Sequence, residues 1–366
     1  MSTKIFFVAV LSIALTLESI AQDQDRVRIN GYSSFEYENR ISGEDGSDPN
    51  GSFDADLIDL VINVDVTSNL RFSTDLTWEH GAATEDGLGN VAVEYAFPEY
   101  TVRDWLKFRV GKMFVPFGIY NEIHTAKPAF LAVKEPLSTN KPHKFGADTR
   151  FYPRWATGIS ILGNFSVKMM EFEYNLQISN GNQDIEMSGI NMFEEDDNKQ
   201  KAIAFRLLFS PIQDLKLGVS TYSDIATVYS YDSNEDEYLA TDSTNRVFSI
   251  SGHAEYSHNN FGAEFEFISG EEKVTNTNPM KKQAFEAMVY YTFIDRITPY
   301  VRYEFLDPNL DVSSDEAKMF SFGINTRIDK SFFLKLQYNS INSGVDNGEF
   351  SGMDLSEFQA AIVLGF

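Results

Sequence analysis

Apolar residues recur at every second position along most of this chain. Ile58, Leu60, Ile62, Val64 and Val66 alternate with Asp59, Val61, Asn63 and Asp65. Leu70, Phe72, Thr74, Leu76 and Trp78 alternate with Arg71, Ser73, Asp75, Thr77 and Glu79. The same period returns at Phe285–Phe293, Val301–Phe305, Phe320–Ile324 and Phe332–Tyr338. Period two is the mark of a strand with one apolar and one polar face. About sixteen such runs are legible, each near ten residues, the length of a tilted strand that crosses a bilayer. They begin near Val27, Phe53, Asn69, Gly89, Trp105, Trp155, Phe165, Lys199, Gln213, Asn245, Asn259, Lys282, Ile297, Ala317, Ser331 and Leu355.

The connections alternate too. Tight ones are expected at Thr67-Ser68-Asn69, Arg103-Asp104, Gly163-Asn164, Pro211–Asp214, His258–Asn260, Asp295-Arg296 and Asp329-Lys330. The others are long and polar, among them 42–51, 181–198, 231–245 and 344–354. One end with short turns and one with long loops predicts an antiparallel up-and-down barrel. The polar faces carry several charges each, and sixteen strands enclose a lumen too wide for side chains to fill. The expected fold is therefore all-β: a transmembrane barrel with lipid outside, water inside, short periplasmic turns and long extracellular loops.

The last ten residues, EFQAAIVLGF, fit this scheme. Phe358, Ala360, Ile362, Leu364 and Phe366 share one face, which the barrel reading turns toward lipid. The ending resembles the terminal signal of bacterial outer-membrane barrels. That resemblance implies that Phe358, Ile362, Leu364 and Phe366 are read by a barrel-assembly machinery. Tyr37, Trp78, Phe97, Tyr338 and Phe366 are expected in outward aromatic girdles. Residues 1–21 read as a secretory signal, with Lys4, an apolar Ile5–Leu17 stretch and Ser19-Ile20-Ala21. One barrel domain is expected over 22–366.

Composition narrows the function. The chain has 366 residues, no cysteine and a formal charge of −24, so a disulfide scaffold and a nucleic-acid partner are both excluded. Acidic loop tips such as Glu194–Asp197 and the DGSDPNG stretch (45–51) offer candidate divalent-cation sites. The bland reading of each is a solvated loop. The five histidines, His80, His124, His143, His253 and His258, fall in no catalytic motif, and no enzyme activity or cofactor is expected.

The third long connection, 115–154, breaks the acidic pattern. From Arg109 to Arg154 there are eight basic residues, Arg109, Lys112, Lys127, Lys134, Lys141, Lys144, Arg150 and Arg154. They stand against three acids, Glu122, Glu135 and Asp148. Pro128 and Pro136 bracket PAFLAVKE, which reads as a short helix that must bury Phe130, Leu131 and Val133 against the barrel wall. Two readings of the lysines stand. They are an anion filter, or they are charge partners of wall acids such as Asp59, Asp75, Glu94, Glu264, Glu266, Glu286 and Glu304. The wall also carries basic residues, among them Arg71, Lys107, Arg109, Arg206, Arg302 and Lys335.

LKFRVGKMFVPFGIYNEIH (106–124) sharpens the picture. Gly111-Lys112 followed by Pro116-Phe117-Gly118, after Glu99-Tyr100, resembles the fifth strand and loop entry of porins related to the phosphate-selective porin O and P family. The resemblance implies a sixteen-stranded, usually trimeric channel whose third loop folds into the lumen. It implies a constriction at or near Lys127, Lys134, Lys141 and Lys144; the strand faces themselves add Arg71, Lys107, Arg109 and Arg302 as wall candidates. The expected function is passive diffusion of small anionic or neutral solutes, with a weak anion preference. Expected partners are outer-membrane lipids, lipopolysaccharide and two further copies of the chain. The competing class is a structural or adhesive surface barrel with its acidic loops as the working surface.

Overall fold

The computed structural model describes residues 26–42, 51–79, 91–123, 125–139, 150–181, 193, 195–196, 198–232, 237–345 and 354–366. The proposed signal segment, His80, His124, Lys141, His143, Lys144, Glu194, Asp197 and most of 45–51 lie outside them.

The described residues form sixteen strands. These are β1 (Val27–Ser42), β2 (Ser52–Asp65), β3 (Leu70–Glu79), β4 (Val91–Arg103), β5 (Leu106–Phe114), β6 (Trp155–Val167), β7 (Met170–Ser179) and β8 (Ala202–Ile212). They continue as β9 (Leu215–Asp232), β10 (Glu237–His258), β11 (Phe261–Val274), β12 (Met280–Tyr291), β13 (Ile297–Asp307), β14 (Ala317–Asp329), β15 (Phe332–Ser343) and β16 (Asp354–Gly365). Each pairs antiparallel with its neighbours in sequence, and β16 pairs with β1 to close the ring. Phe366 completes the closure. It exchanges two backbone hydrogen bonds of 2.9 Å with Gly31 on β1. Ile362, Leu364 and Phe366 are exposed on the outer face, at 43, 37 and 64%.

The alternation has the expected sense. On β13, Tyr300, Arg302, Glu304 and Leu306 are buried inside, while Val301, Tyr303 and Phe305 stand between them on the other face. Around the ring the exposed side chains include Ile29, Phe35, Ile58, Phe72, Val110, Ile159, Phe248 and Phe322. The buried ones include Asp59, Glu99, Gln177, Ser249, Glu266, Lys335 and Gln359. This is the reverse of a water-soluble barrel, whose interior is oily and whose surface is charged.

Three local expectations differ from the structure. The β6–β7 turn lies at Lys168-Met169, not at Gly163-Asn164; Lys168 takes the left-handed turn conformation, φ 60°. Gly163 lies within β6, whose ladder with β7 continues to Val167 and Met170, and a Cβ at Gly163 would meet the Trp105 carbonyl oxygen at 2.2 Å. The polar stretch 231–245 is largely strand: β9 runs to Asp232 and β10 starts at Glu237. Ladder hydrogen bonds extend this hairpin without needing an apolar face. Phe97 points inward. Tyr95 pairs with Asp75 but Val93 pairs with Leu76, so Glu94 is an extra residue in β4. A bulge of one residue reverses which side chains face in, and it carries Tyr95 and Phe97 to the lumen.

Candidate functional site

The loop between β5 and β6 enters the barrel. Two glycines shape its approach. Gly111 has φ 131° and Gly118 φ 62°; a Cβ at Gly118 would meet the Glu266 carboxylate at 2.2 Å. Pro116-Phe117-Gly118 thus turns the chain tightly onto β11, where the amide of Gly118 also donates to Ser220 Oγ on β9 at 3.1 Å. Asn121 Nδ2 ties the two legs together by donating to the carbonyls of Val115 (2.7 Å) and Arg154 (3.0 Å). Phe117 stacks on Tyr152, with centroids 4.2 Å apart. These aromatics join Val115, Leu137 and Phe151 in a core with wall residues Ile268, Leu306, Met319 and Ile341. Burying each large side chain is worth roughly 1.5–3 kcal/mol, so the loop is packed rather than suspended.

The expected helix over PAFLAVKE is absent. Among the described residues of the loop only short 3₁₀ turns occur, at Asn121–Ile123 and Lys127–Ala129. The reason is competition for backbone groups. Lys335 Nζ on β15, 1% exposed, donates to the carbonyls of Lys127 (2.6 Å), Phe130 (2.7 Å) and Ala132 (2.9 Å). Arg302 takes the Lys134 carbonyl at 3.0 Å, and Asn325 takes that of Leu131 at 3.2 Å. Gln337 and Glu304 accept from the amides of Val133 and Leu137. The wall satisfies these groups side chain by side chain, so no helical ladder is needed. Phe130 and Val133 are buried, as expected of the segment, and Leu131 is half-buried.

Two of the four expected lysines are described, and both are ion-paired. Lys127 Nζ lies 3.2 Å from Glu36 on β1 and 3.2 Å from Asp56 on β2. Lys134 contacts Glu36, lies 3.1 Å from Glu38 and 3.6 Å from Asp56. Burial pulls both ammonium groups down, but Glu36 and Asp56 outweigh it, and both end above the usual lysine range. Arg302 is fully buried beneath the loop against Glu304. Across the loop, Arg154 holds Glu135 at 2.7 Å, and Tyr120 donates to Glu264 on β11 at 2.7 Å.

The contacts named so far run from β9 through β16 to β2. The opposite wall, β3–β8, is different. Arg71, Lys107, Arg109 and Arg206 gather there. Arg71 (3.1 Å) and Arg109 (2.7 Å) share the single carboxylate of Glu99. Arg206 pairs with Glu122 of the loop, and Lys107 makes no ion pair among the described residues. Two spaces open beside them. One, of about 300 Å³, is polar and includes Lys107, Arg109, Glu122, Glu173, Asn175 and Arg206 in its lining. The other, of about 190 Å³, is bounded by Tyr95, Phe97, Arg109, Met113, Phe114 and Ser160 among others.

Arg71, Lys107 and Arg109, expected on the wall, lie on β3 and β5; Glu36 and Asp56 were not foreseen as lysine partners. Their signal was available, since both occupy polar positions near the ends of alternating runs. Nor were Tyr95 and Phe97 foreseen as lumen residues, because the Glu94 bulge is invisible to a period-two count.

No protein-family model matches the chain. An uncharacterized protein of Aquifex aeolicus (strain VF5) is 25% identical over 356 residues, which cover 87% of this chain and 76% of that protein. Among solved structures, an anion-selective porin from Comamonas acidovorans aligns with a TM-score of 0.64 at 11% identity, over 93% of this chain and 99% of that one. The trimer form of OmpT, an outer membrane protein of Vibrio cholerae, aligns with a TM-score of 0.58 at 11% identity, over 93% and 100%. At such identities the shared property is the fold: this chain is a closed sixteen-stranded antiparallel barrel of the porin type.

Proposed function

We propose that the protein is an outer-membrane porin through which small hydrophilic solutes diffuse without energy input. The observation that carries this is the inverted barrel: apolar side chains cover the exterior, charged ones line the interior, and a packed loop narrows one side. Such an exterior suits hydrocarbon, and a closed ring leaves no unpaired strand edge there. The folds of the Comamonas and Vibrio proteins support the same reading, and the trimer form of the latter supports a trimer here.

The solute path runs between the loop and β3–β8. Its selectivity rests on Arg71, Lys107, Arg109 and Arg206 rather than on Lys127 and Lys134, whose charge is taken up by Glu36, Glu38 and Asp56. In the lining of the polar space three cations, Lys107, Arg109 and Arg206, face two acids, Glu122 and Glu173, which gives a weak lean toward anions. Nothing in this mechanism calls for a catalytic group or a cofactor. Refolded full-length protein in a planar bilayer is expected to give discrete conductance steps and a reversal potential on the anion side of a KCl gradient. Lys107→Glu is expected to move that potential toward cations, and Lys127→Gln to move it little. Absence of steps rejects the porin; a cation-selective wild type rejects the selectivity.

A further inference from the structure

The wall beside the loop holds an apolar surface that a channel for inorganic ions does not require. We propose that it is a binding site for small aromatic carboxylates, a substrate class that rests on the porin reading above.

Tyr95 and Phe97 face the lumen because of the bulge at Glu94. Their rings lie 5.4 Å apart, and Phe114 meets Tyr95 edge-on at 5.6 Å. Met113, 3% exposed, completes the floor of the space of about 190 Å³. A planar apolar body can lie against this surface in the offset or edge-on arrangements that aromatic rings prefer.

Arg109 stands at the edge of that floor, its guanidinium carbon 4.8 Å from the Phe97 ring centre. Its Nε is taken by Glu99 at 2.7 Å, and the structure gives its two terminal nitrogens no protein partner among the described residues. That leaves the forked end of the guanidinium for a carboxylate, which it can bind through two parallel hydrogen bonds. Two polar groups on the same wall have unmet hydrogen-bonding capacity. Ser160 Oγ and Asn175 Oδ1 are buried, in residues 1 and 7% exposed, and neither has a partner among the described residues. Ser160 can donate to a carboxylate; Asn175 borders both spaces and can accept from a ring hydroxyl or ammonium substituent. Glu122 also borders the site, but its carboxylate is held by Arg206. A ring on the Tyr95–Phe97 floor therefore sets its carboxylate at Arg109, and Lys107 and Arg206 lie in the polar space where the anion would go next.

The test uses the refolded full chain in planar bilayers, with benzoate, acetate and benzyl alcohol as blockers of the chloride current. Benzoate is expected to half-block at about one-tenth the concentration of acetate or benzyl alcohol, the gain that one aromatic contact supplies. Phe97→Ala is expected to bring benzoate close to acetate. Arg109→Gln is expected to bring it close to benzyl alcohol. The exterior variant Phe72→Ala is expected to keep the wild-type ratio. Equal block by benzoate and acetate in the wild type, or an unchanged benzoate advantage in Phe97→Ala, overturns the aromatic site while leaving the porin standing. Absence of current from folded barrels, identified by their heat-dependent migration in gels, overturns the porin reading itself.

Discussion

The two sides of this lumen are built from the same kinds of residue and put them to opposite use. From β9 through β16 to β2, several wall charges are consumed by the loop, though Glu286 on β12 is buried with neither carboxylate oxygen hydrogen-bonded among the described residues. Lys335 is spent on three carbonyls, Arg302 on Glu304 and a carbonyl, and Glu36 and Asp56 on Lys127 and Lys134. On β3–β8, cations outnumber the carboxylates that meet them, and Lys107 and the forked end of Arg109 stay available. A charge lying in a pore is thus no guide to selectivity. What matters is whether its hydrogen-bonding capacity is already filled, because a buried group leaves water only when partners replace the water.

The largest effect is expected from releasing the loop. Lys335→Met removes three hydrogen bonds to loop carbonyls, each worth roughly 0.5–1.5 kcal/mol. The loop should lift from β15, and single-channel currents should become larger and noisier while the barrel still folds. Currents of wild-type size and quietness would mean that Lys335 does not hold the loop. Next comes Lys127→Ala, which removes one of the two cations shared by Glu36 and Asp56 and leaves Lys134 to bridge them. Loss of one partner from a buried ion pair typically costs about 3–5 kcal/mol. Urea unfolding in detergent micelles, followed by tryptophan fluorescence, should show a drop of that order; a drop under about 1 kcal/mol would place Lys127 in water. The smallest stability change is expected on the other wall. Arg71 is half-exposed, and its pair with Glu99 is backed by Arg109, so Arg71→Ala should cost less than about 1 kcal/mol. The same change should nonetheless shift the reversal potential. A large stability loss there, with selectivity intact, would erase the contrast between the two walls.

Much of the barrel was legible in the sequence. Period-two runs and alternating connection lengths gave sixteen strands and their up-and-down order, because strand geometry itself imposes that period. The C-terminal run from Phe358 to Phe366 was readable for the same reason. The candidate site was legible only in part. Arg71, Lys107 and Arg109 sit on readable strand faces. Phe97 did not, because one inserted residue at Glu94 changes its face while leaving the composition of the run unchanged. The helix expected between Pro128 and Pro136 failed for a different reason. Local signals supported it, but Lys335, Arg302 and Gln337, some two hundred residues away, supply its backbone with better partners.

The sequence by itself determined which face of each regular strand is oily, since alternation is a local property of an extended chain. It also determined that the segment 115–154 is cationic and too apolar to float free. Only the tertiary structure decided which cations are neutralised and which remain open. That depends on Glu36, Asp56 and Lys335, residues distant in sequence that the closed barrel brings around one loop. Charge pairing is set by distances of a few ångströms, and those come into being only when β16 meets β1 and the ring shuts.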